Sequence, residues 1–436
     1  MNDKKQIFGW AMYDWANSAY ITTVAAVIFP LFFNEVIVPE NGFQIGGKLF
    51  SSFSLFSFTS SIASFIIFLC APFLGAISDV SASKKKFLMV FCYGGSLFSI
   101  LLYFCGTGDV WLAMIFFALS QIGFVGGNIF YDAFLPQIAS EDKLDWVSGK
   151  GFAYGYLGGG LQFALSIGLI SGHSFFGLEE GLAVKLAMVM ASLWWAGFSI
   201  VTFIYLKETG TPEQISGEFR NMSKLSAYSR IGFGRMIATA KKVARFKQLM
   251  LFLIAFMIYN DAIQTVIKMA SLYGAKLNIS TPVIMITFLI VQLVAFFGAL
   301  LFGSIAGKIS AKKALMITLV MWLFVVIYGY RMKSAGEFLF LGAIIGIVLG
   351  GSQSLSRSLY GAMIPPQASA EFYGFYSIFS KFSAIIGPAV FGIIEFLTGS
   401  ARYSILSLVA FFVVGLILLS LVNVEKAKEA KSLELF

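Results

Sequence analysis

Long apolar runs separated by short polar segments dominate the chain. A helix needs about 20 predominantly apolar residues to cross the hydrocarbon core of a bilayer. Twelve runs meet that requirement, and only the segment 207–247, between the sixth and the seventh run, is both long and polar. The predicted spans are 7–33, 50–77, 87–105, 110–138, 148–171, 184–206, 248–272, 281–306, 314–331, 337–364, 372–397 and 402–422. The pattern therefore predicts an all-α integral membrane protein.

Polar side chains interrupt several of these runs at helical spacing. The first run contains YDWANSAY, in which Asp14, Asn17 and Ser18 fall at i, i+3 and i+4 and so share one helix face. An ionisable side chain in the membrane costs at least ~2.5 kcal/mol, so such residues face the bundle interior and usually have a function. The candidates for substrate or proton binding are Asp14, Asn17, Ser18, Asn128, Asp132, Asn260, Asp261, Gln264, Lys268, Gln353, Arg357, Tyr360 and Lys381.

The same acidic residues have a structural alternative. Asp14 and Asp132 could neutralise Lys268, Arg357 or Lys381 across the bundle, as ion pairs or gates. The pattern alone leaves both interpretations open.

Charge and composition set the topology. Only 12% of the residues are charged, against about 25% in soluble domains. The net charge of +9 could suggest a nucleic-acid partner, but 22 of the Lys and Arg residues fall on one side of the predicted spans and six on the other. By the positive-inside rule, this bias predicts cytoplasmic termini and a cytoplasmic 207–247 segment, and no nucleic-acid partner.

Several kinds of chemistry have no support in the sequence. His173 is the only histidine, and the three cysteines lie in apolar runs, so we expect no metal site and no cofactor. No G-x-x-x-x-G-K-[ST] motif for ATP binding occurs. Any uphill transport would therefore use an ion gradient. Asp14, Asp132 and Asp261 are the candidate proton carriers, with sodium as an alternative ion.

The two halves of the chain resemble each other. YDWA from Tyr13 matches YNDA from Tyr259, and two further pairs of motifs recur in the same order on equivalent spans. Duplicated six-helix halves with a binding site between them are typical of secondary transporters. The predicted division is a first half 1–206, a basic linker 207–247 and a second half 248–436.

The loop after the second span carries a family resemblance. Gly75-x-x-x-Asp79 followed by Lys84, Lys85 and Lys86 is similar to the signature loop of the major facilitator superfamily. The resemblance implies a twelve-helix fold of two pseudo-symmetric halves. It also implies that Asp79 and the three lysines form a cytoplasmic gate. The loop departs from the pattern at Val80, where a basic residue usually stands.

Four longer motifs narrow the resemblance. WAMYDWANSAY, YNDAIQTV, GGSQSLSRSLYGAMIP and EFYGFYSIFSKFSAIIGPAVFG resemble the branch of that superfamily related to the fungal vacuolar amino-acid effluxers. The resemblance implies a monomeric secondary transporter, not an enzyme, that exchanges a small polar solute, amino acids foremost, by alternating access. The implied partners are the solute, a coupling ion such as the proton, and the lipid bilayer. The compact loops of this chain suit a bacterial inner membrane.

Other functions need separate tests. A lipid flippase or a transport-inactive scaffold could use the same fold. Tyr131-Asp132 and GTGD, which ends at Asp109, also match the two motifs of intramembrane aspartyl proteases. Asp109 and Asp132 would lie ~34 Å apart on one helix, too far to share a proton. We therefore expect Asp109 to be a helix N-cap instead.

The remaining motifs lead to structural expectations. We predict that 207–247 is a solvated linker with at most a short interfacial helix near Arg235–Lys247. Glu141, Asp142 and Asp145 are expected in a solvated loop. The glycines of GYLGGG, 155–160, are expected to allow close helix contact. Gly387-Pro388 is expected to bend the eleventh span.

Overall fold

A computed structural model describes residues 1–39, 41–50, 52–208, 210–212, 222–383, 386–398 and 400–433. It consists of helices and one short hairpin, β1 Phe43–Ile45 paired antiparallel with β2 Lys48–Phe50. The helices are α1 Lys4–Ile37, α2 Ser52–Val80, α3 Lys84–Leu101, α4 Val110–Ile138, α5 Leu144–Ser171, α6 Glu180–Tyr205, α7 Lys224–Arg245, α8 Lys247–Lys276, α9 Thr281–Ile309, α10 Ala311–Arg331, α11 Ala335–Met363, α12 Ser369–Phe382, α13 Ile386–Thr398, α14 Ala401–Leu421 and α15 Val424–Leu433.

The observed helices follow the predicted spans. Within the described residues, ten helices are long and apolar enough to cross a membrane. The second predicted span corresponds to α2, and the eleventh to the pair α12 and α13. We refer to α1–α6 as the first half and to α8–α14 as the second half.

Glycines set the distance between α1 and α5. A Cβ on Gly158 would lie 2.4 Å from the backbone oxygen of Trp15, and one on Gly159 would lie 2.9 Å from that of Ser18. A side chain at either position would collide with the α1 backbone. The expected close helix contact at GYLGGG is therefore confirmed, and it places the polar face of α1 beside α5.

The eleventh span is interrupted. We expected Gly387-Pro388 to bend this span, and the structure has two helices here, α12 ending at Phe382 and α13 beginning at Ile386, with residues 384 and 385 outside the described part. Gly387 and Pro388 belong to the first turn of α13. Proline fits there because the first N–H groups of a helix have no intrahelical acceptor.

The 207–247 segment contains more structure than expected. The helix α7 begins at Lys224, eleven residues before the predicted start, and it contacts α2. Gly232 lies against Ile77, and the Phe233 ring meets the Phe73 ring edge-on at 6.3 Å. A solvated linker was therefore the wrong description of this part, because an apolar face of α7 is packed on α2.

The first and the last described residues lie at one end of the bundle, which we call the terminal end. The backbone N–H of Asn2 donates to Ile138 O, at the end of α4, over 2.7 Å. The N–H of Asn423, after α14, donates to the Gln248 side chain at the start of α8 over 2.6 Å. The opposite end of the bundle is called the far end.

Candidate functional site

One arginine of the second half enters a pocket of the first half. Arg357 on α11 donates through Nη1 to Asp132 Oδ1 at 3.1 Å and through both Nη atoms to Asp14 Oδ2 at 3.4 Å. Its Nε donates to Ser148 Oγ at 3.1 Å, and Nη2 donates to Ser148 O at 3.0 Å. Every guanidinium nitrogen is thus bonded to α1, α4 or α5. We call Asp14, Asp132 and Arg357 the charge triad.

Aromatic rings enclose the same guanidinium group. Its central carbon lies 4.0 Å from the Phe152 ring centroid and 4.9 Å from that of Trp10. The Trp10 ring stacks on Tyr131 at 4.5 Å, and its Nε1 donates to Tyr131 O at 2.9 Å. Tyr131 Oη in turn donates to Asp14 Oδ2 at 2.7 Å. These rings exclude water and hold both the arginine and Asp14 in place.

The charge triad carries an unbalanced charge. Two carboxylates face one guanidinium group, and the Asp14, Asp132 and Arg357 side chains are only 11%, 19% and 4% exposed. A buried ion cluster is costly unless its charges are compensated. One added proton would make the triad neutral. Asp132 is the better acceptor, because it accepts only from Nη1 of Arg357, whereas Asp14 accepts from Tyr131 and from both Nη atoms.

Further hydrogen bonds join the halves closer to the terminal end. Asp132 and Arg357 each lie six residues before the end of their helix, ~9 Å from that end. Gln137 Nε2 donates to Ser369 Oγ at 3.1 Å, and Ser358 Oγ donates to Asp145 Oδ1 at 2.5 Å. The two halves are therefore closed against each other at the terminal end. Asp145 was wrongly expected in a solvated loop, since it is partly buried and bonded across the halves.

Amides and hydroxyls occupy the next level of the bundle, nearer the membrane centre. Asn17 Nδ2 donates to Asn128 Oδ1 at 2.8 Å within the first half. Between the halves, Tyr156 Oη donates to Gln353 Oε1 at 2.5 Å, and Gln292 Nε2 donates to Thr22 Oγ1 at 3.1 Å. Ser18 is half-buried beside Gly155. This layer of uncharged polar groups is called the amide layer.

The remaining predicted residues take different positions. Tyr360 is fully buried and donates to Phe372 O at 2.6 Å, so it joins α11 to α12. On α8, Asn260 and Asp261 contact the interruption between α12 and α13, Gln264 is half-buried, and Lys268 is exposed. Lys381 lies in α12, but its side chain falls outside the described part.

The signature loop lies within the first half at the terminal end. Lys84 and Asp79 form an ion pair whose side chains are almost completely buried. The backbone N–H of Lys85 donates to Glu208 Oε2 at 2.8 Å, and Lys86 is exposed at the start of α3. Asp109 does stand at the N-terminus of α4, but it does not cap that helix. Its Oδ2 accepts from Gly106 N at 2.9 Å instead.

Several residues of the site were missed from the sequence. Trp10, Tyr131, Ser148 and Phe152 all contact the charge triad or its partners. Only one indication of them was present in the sequence. Each lies within one or two helical turns of a candidate acid or on a helix that faces one. In the part of the chain that the structure describes, no group of three or more His, Cys, Asp or Glu residues is placed to bind a metal ion.

Comparisons with known proteins agree on a transporter. The family model described as vacuole effluxer Atg22 like matches residues 2–432. An MFS-type transporter from Bacillus subtilis (strain 168), YxiO, is 31% identical over 98% of this chain and 96% of its own length. Autophagy-related protein 22-1 of Neosartorya fischeri is 28% identical over 67% of this chain, and the match spans only 50% of that longer protein.

A solved structure shows the same fold. The proton:xylose symporter XylE superposes over 98% of each chain with a TM-score of 0.71, at 12% sequence identity. This likeness confirms the all-α, twelve-helix major facilitator fold. The predicted resemblance to the branch of vacuolar effluxers is also confirmed.

Proposed function

The chain belongs to the Atg22-like family of MFS-type transporters, and on that premise we propose that it exchanges amino acids across the membrane by proton-coupled alternating access. It is a transporter and not an enzyme, as its family and its fold establish. The observation that carries the proposal is Arg357 of the second half, held by two carboxylates of the first half.

The charge triad works as a gate at the terminal end. While Asp14 and Asp132 are ionised, they hold Arg357 and keep the two halves together there. A proton on Asp132 removes one of the two attractions and leaves a neutral triad. The bonds across the halves then weaken, and the terminal end can open while the far end closes.

The amide layer suits a small polar solute. Asn17, Asn128 and Gln353 offer both donors and acceptors near the membrane centre. An amino acid has a carboxylate that Arg357 can bind with its planar fork once the triad has opened. Its ammonium group then faces the acids of the first half. Arg357 is fully occupied in the closed state, so the solute carboxylate has to replace Asp14 or Asp132.

The arrangement in the membrane is part of the proposal. The charge bias between the two sides of the spans supports a cytoplasmic terminal end. The protein would then be a monomer in a bacterial inner membrane, with halves 1–206 and 248–436 moving about the 207–247 linker. Export is the direction that the family name favours.

A screen in two steps tests the function. Purified full-length protein is first heated with single amino acids, dipeptides, sugars and lipids, since a bound solute raises the melting temperature. Solutes that stabilise the protein are then offered to proteoliposomes, with and without a proton gradient. Accumulation of an amino acid that follows the gradient supports the proposal. Movement of lipid alone would identify a flippase, and binding without movement a scaffold.

A further inference from the structure

The interruption between α12 and α13 is held from both sides by neighbouring residues of α8. Asn260 Nδ2 donates to Ser383 Oγ, directly after α12, at 2.5 Å. Asp261 Oδ2 accepts from Gly387 N, in the first turn of α13, at 2.8 Å. Asp261 lies fourteen residues into α8, ~21 Å from the terminal end and near the membrane centre.

Beside the N-terminus of α13, one carboxylate oxygen of Asp261 has no hydrogen-bond partner in the described part of the chain. The residue is 2% exposed, and its Oδ1 is a buried atom without a hydrogen-bond partner among the described residues. A buried acceptor left without a partner is costly. The bond from Gly387 accounts for Oδ2 and not for Oδ1.

The side-chain oxygen of Thr265 lies on the same side of Gly387 as Asp261 Oδ1. A Cβ on Gly387 would lie 2.1 Å from Thr265 Oγ1 and 2.9 Å from Asp261 Oδ1. Thr265 Oγ1 donates its hydrogen to Asp261 O at 2.7 Å, so its lone pairs remain free to accept. The backbone oxygen of Asp261 lies 3.0 Å from the same Cβ position. Oxygen atoms that share one negative charge and keep free lone pairs attract a small cation.

We propose that Asp261 Oδ1 and Thr265 Oγ1 bind a small monovalent cation, a proton or Na⁺, at the interruption of α12 and α13. A proton would be bound by Asp261 Oδ1 itself, and Na⁺ would be coordinated by Asp261 Oδ1 and Thr265 Oγ1. The site is separate from the charge triad. Its role in ion coupling rests on the proposed transport function, but cation binding itself does not.

The position of the site explains how such a cation can act on the bundle. The helix α12 packs against α2 and α4 of the first half, and Ser369 at its start donates to Ala133 O at 2.8 Å. The helix α13 packs mainly against α14 and α8 of the second half. Neutralising Asp261 weakens its bond to the N-terminus of α13, where a negative charge is favoured. The angle between α12 and α13 can then change with the contact between the halves.

Other charged groups near Asp261 have to be considered in a pH experiment. Lys268 follows two turns later on α8, and Tyr259 precedes Asp261 and bonds to Ser356 at 2.7 Å. On α11 to α14, which pack against α8, the charged or titratable residues are Glu337, Arg357 and Tyr360 on α11, Glu371, Tyr373, Tyr376 and Lys381 on α12, Glu395 on α13, and Arg402 and Tyr403 on α14. The side chains of Glu371, Lys381 and Glu395 fall outside the described part.

Cation binding can be measured without any solute. The melting temperature of purified full-length protein is recorded while NaCl replaces KCl at constant ionic strength. The proton is followed by infrared difference spectra between acidic and alkaline buffer. We compare the wild type with Asp261→Asn and Thr265→Val. Thr287→Val is the matched control, because Thr287 Oγ1 makes the same bond to its own helix, to Val283 O at 2.7 Å.

Two results support the inference. Na⁺ stabilises the wild type in a saturable way, this response is absent in Asp261→Asn, and Thr265→Val lowers the apparent affinity by roughly 5- to 10-fold, because one coordinating oxygen is lost. Alternatively, Na⁺ has no effect and Asp261→Asn removes one carboxyl band from the infrared spectrum. Thr287→Val behaves as the wild type in both cases.

Two other results overturn it. The site is excluded if neither Na⁺ nor pH distinguishes Asp261→Asn from the wild type. If Asp261→Asn does not fold, Thr265→Val decides, and equal responses of Thr265→Val and Thr287→Val exclude the site. A cation response without transport of any amino acid leaves this site standing and removes the proposed function.

Discussion

At the scale of single residues, Asp132 is the group on which we expect proton coupling to depend. Asp132→Asn keeps the side-chain shape but fixes it in a neutral state. We expect gradient-driven amino-acid transport to fall by at least about tenfold, a change of about 1.4 kcal/mol. Counterflow exchange, which needs no net proton movement, should be largely retained. Asp142→Asn at the exposed terminal end is the control. Equal loss of both activities in Asp132→Asn would assign Asp132 to structure or solute binding.

Arg357 provides a second test at this scale. A lysine keeps the charge but cannot bond to Asp14, Asp132 and Ser148 together in the planar arrangement of a guanidinium group. Arg357→Lys should weaken the closed terminal end by roughly 1–3 kcal/mol, the range of charge-assisted hydrogen bonds. Spin labels at Lys143 and Lys426, which are exposed on opposite halves, should move apart. Arg402→Lys, the same change at the far end, should leave that distance unaltered. An unchanged distance in Arg357→Lys would remove the triad from the gate.

Part of this site was visible in the sequence. A charge inside an apolar run is conspicuous, so Asp14, Asp132 and Arg357 could be selected without a structure. Their pairing could not, because Arg357 is 343 positions from Asp14 and three cations competed for two acids. Asp145 was misjudged for a related reason. It stands in a charged loop sequence, and only its bond to Ser358 of the other half shows its position.

At the scale of elements, hydropathy located the spans but not their interruptions. The α12–α13 span is mostly apolar, and the bonds that Asn260 and Asp261 of another helix make on the two sides of its break are not visible in hydropathy. The length of the helix α7 was predicted too short, because its few apolar residues stabilise the helix only when they pack against α2. Glycine contacts were easier to predict, because clustered glycines in a membrane helix usually permit close approach.

Two glycines of α5 make that point testable. A Cβ at Gly158 would lie 2.4 Å from Trp15 O, whereas a Cβ at Gly168 would meet no atom within 4 Å. Gly158→Ala should therefore lower the melting temperature clearly, with a cost of roughly 1–3 kcal/mol from overpacking. Gly168→Ala should be neutral or stabilise by up to about 1 kcal/mol, since alanine favours the helix. Both variants are measured by thermal unfolding in detergent. Similar effects of the two changes would contradict the close packing of α1 on α5.

At the scale of the whole molecule, the repeat and the polar segment between its copies predicted two six-helix halves, and the major facilitator fold is confirmed. The sequence could not show which end of the bundle is closed. That depends on contacts such as Gln137 with Ser369 and Ser358 with Asp145, which join residues more than two hundred positions apart.

The orientation of the molecule gives the last prediction. The positive-inside rule predicts a cytoplasmic terminal end, because 22 of the Lys and Arg residues lie on that side. The helix α7 would then lie in the cytoplasm. Cys70, Cys92 and Cys105 are first replaced to give a cysteine-free background. A single cysteine at Ser226, which is exposed on α7, should then resist a membrane-impermeant thiol reagent in intact cells and react after lysis. A single cysteine at Phe175, which is 88% exposed between α5 and α6 at the far end, should react in intact cells. The reverse pattern would invert the proposed orientation and place the charge triad at the outer gate.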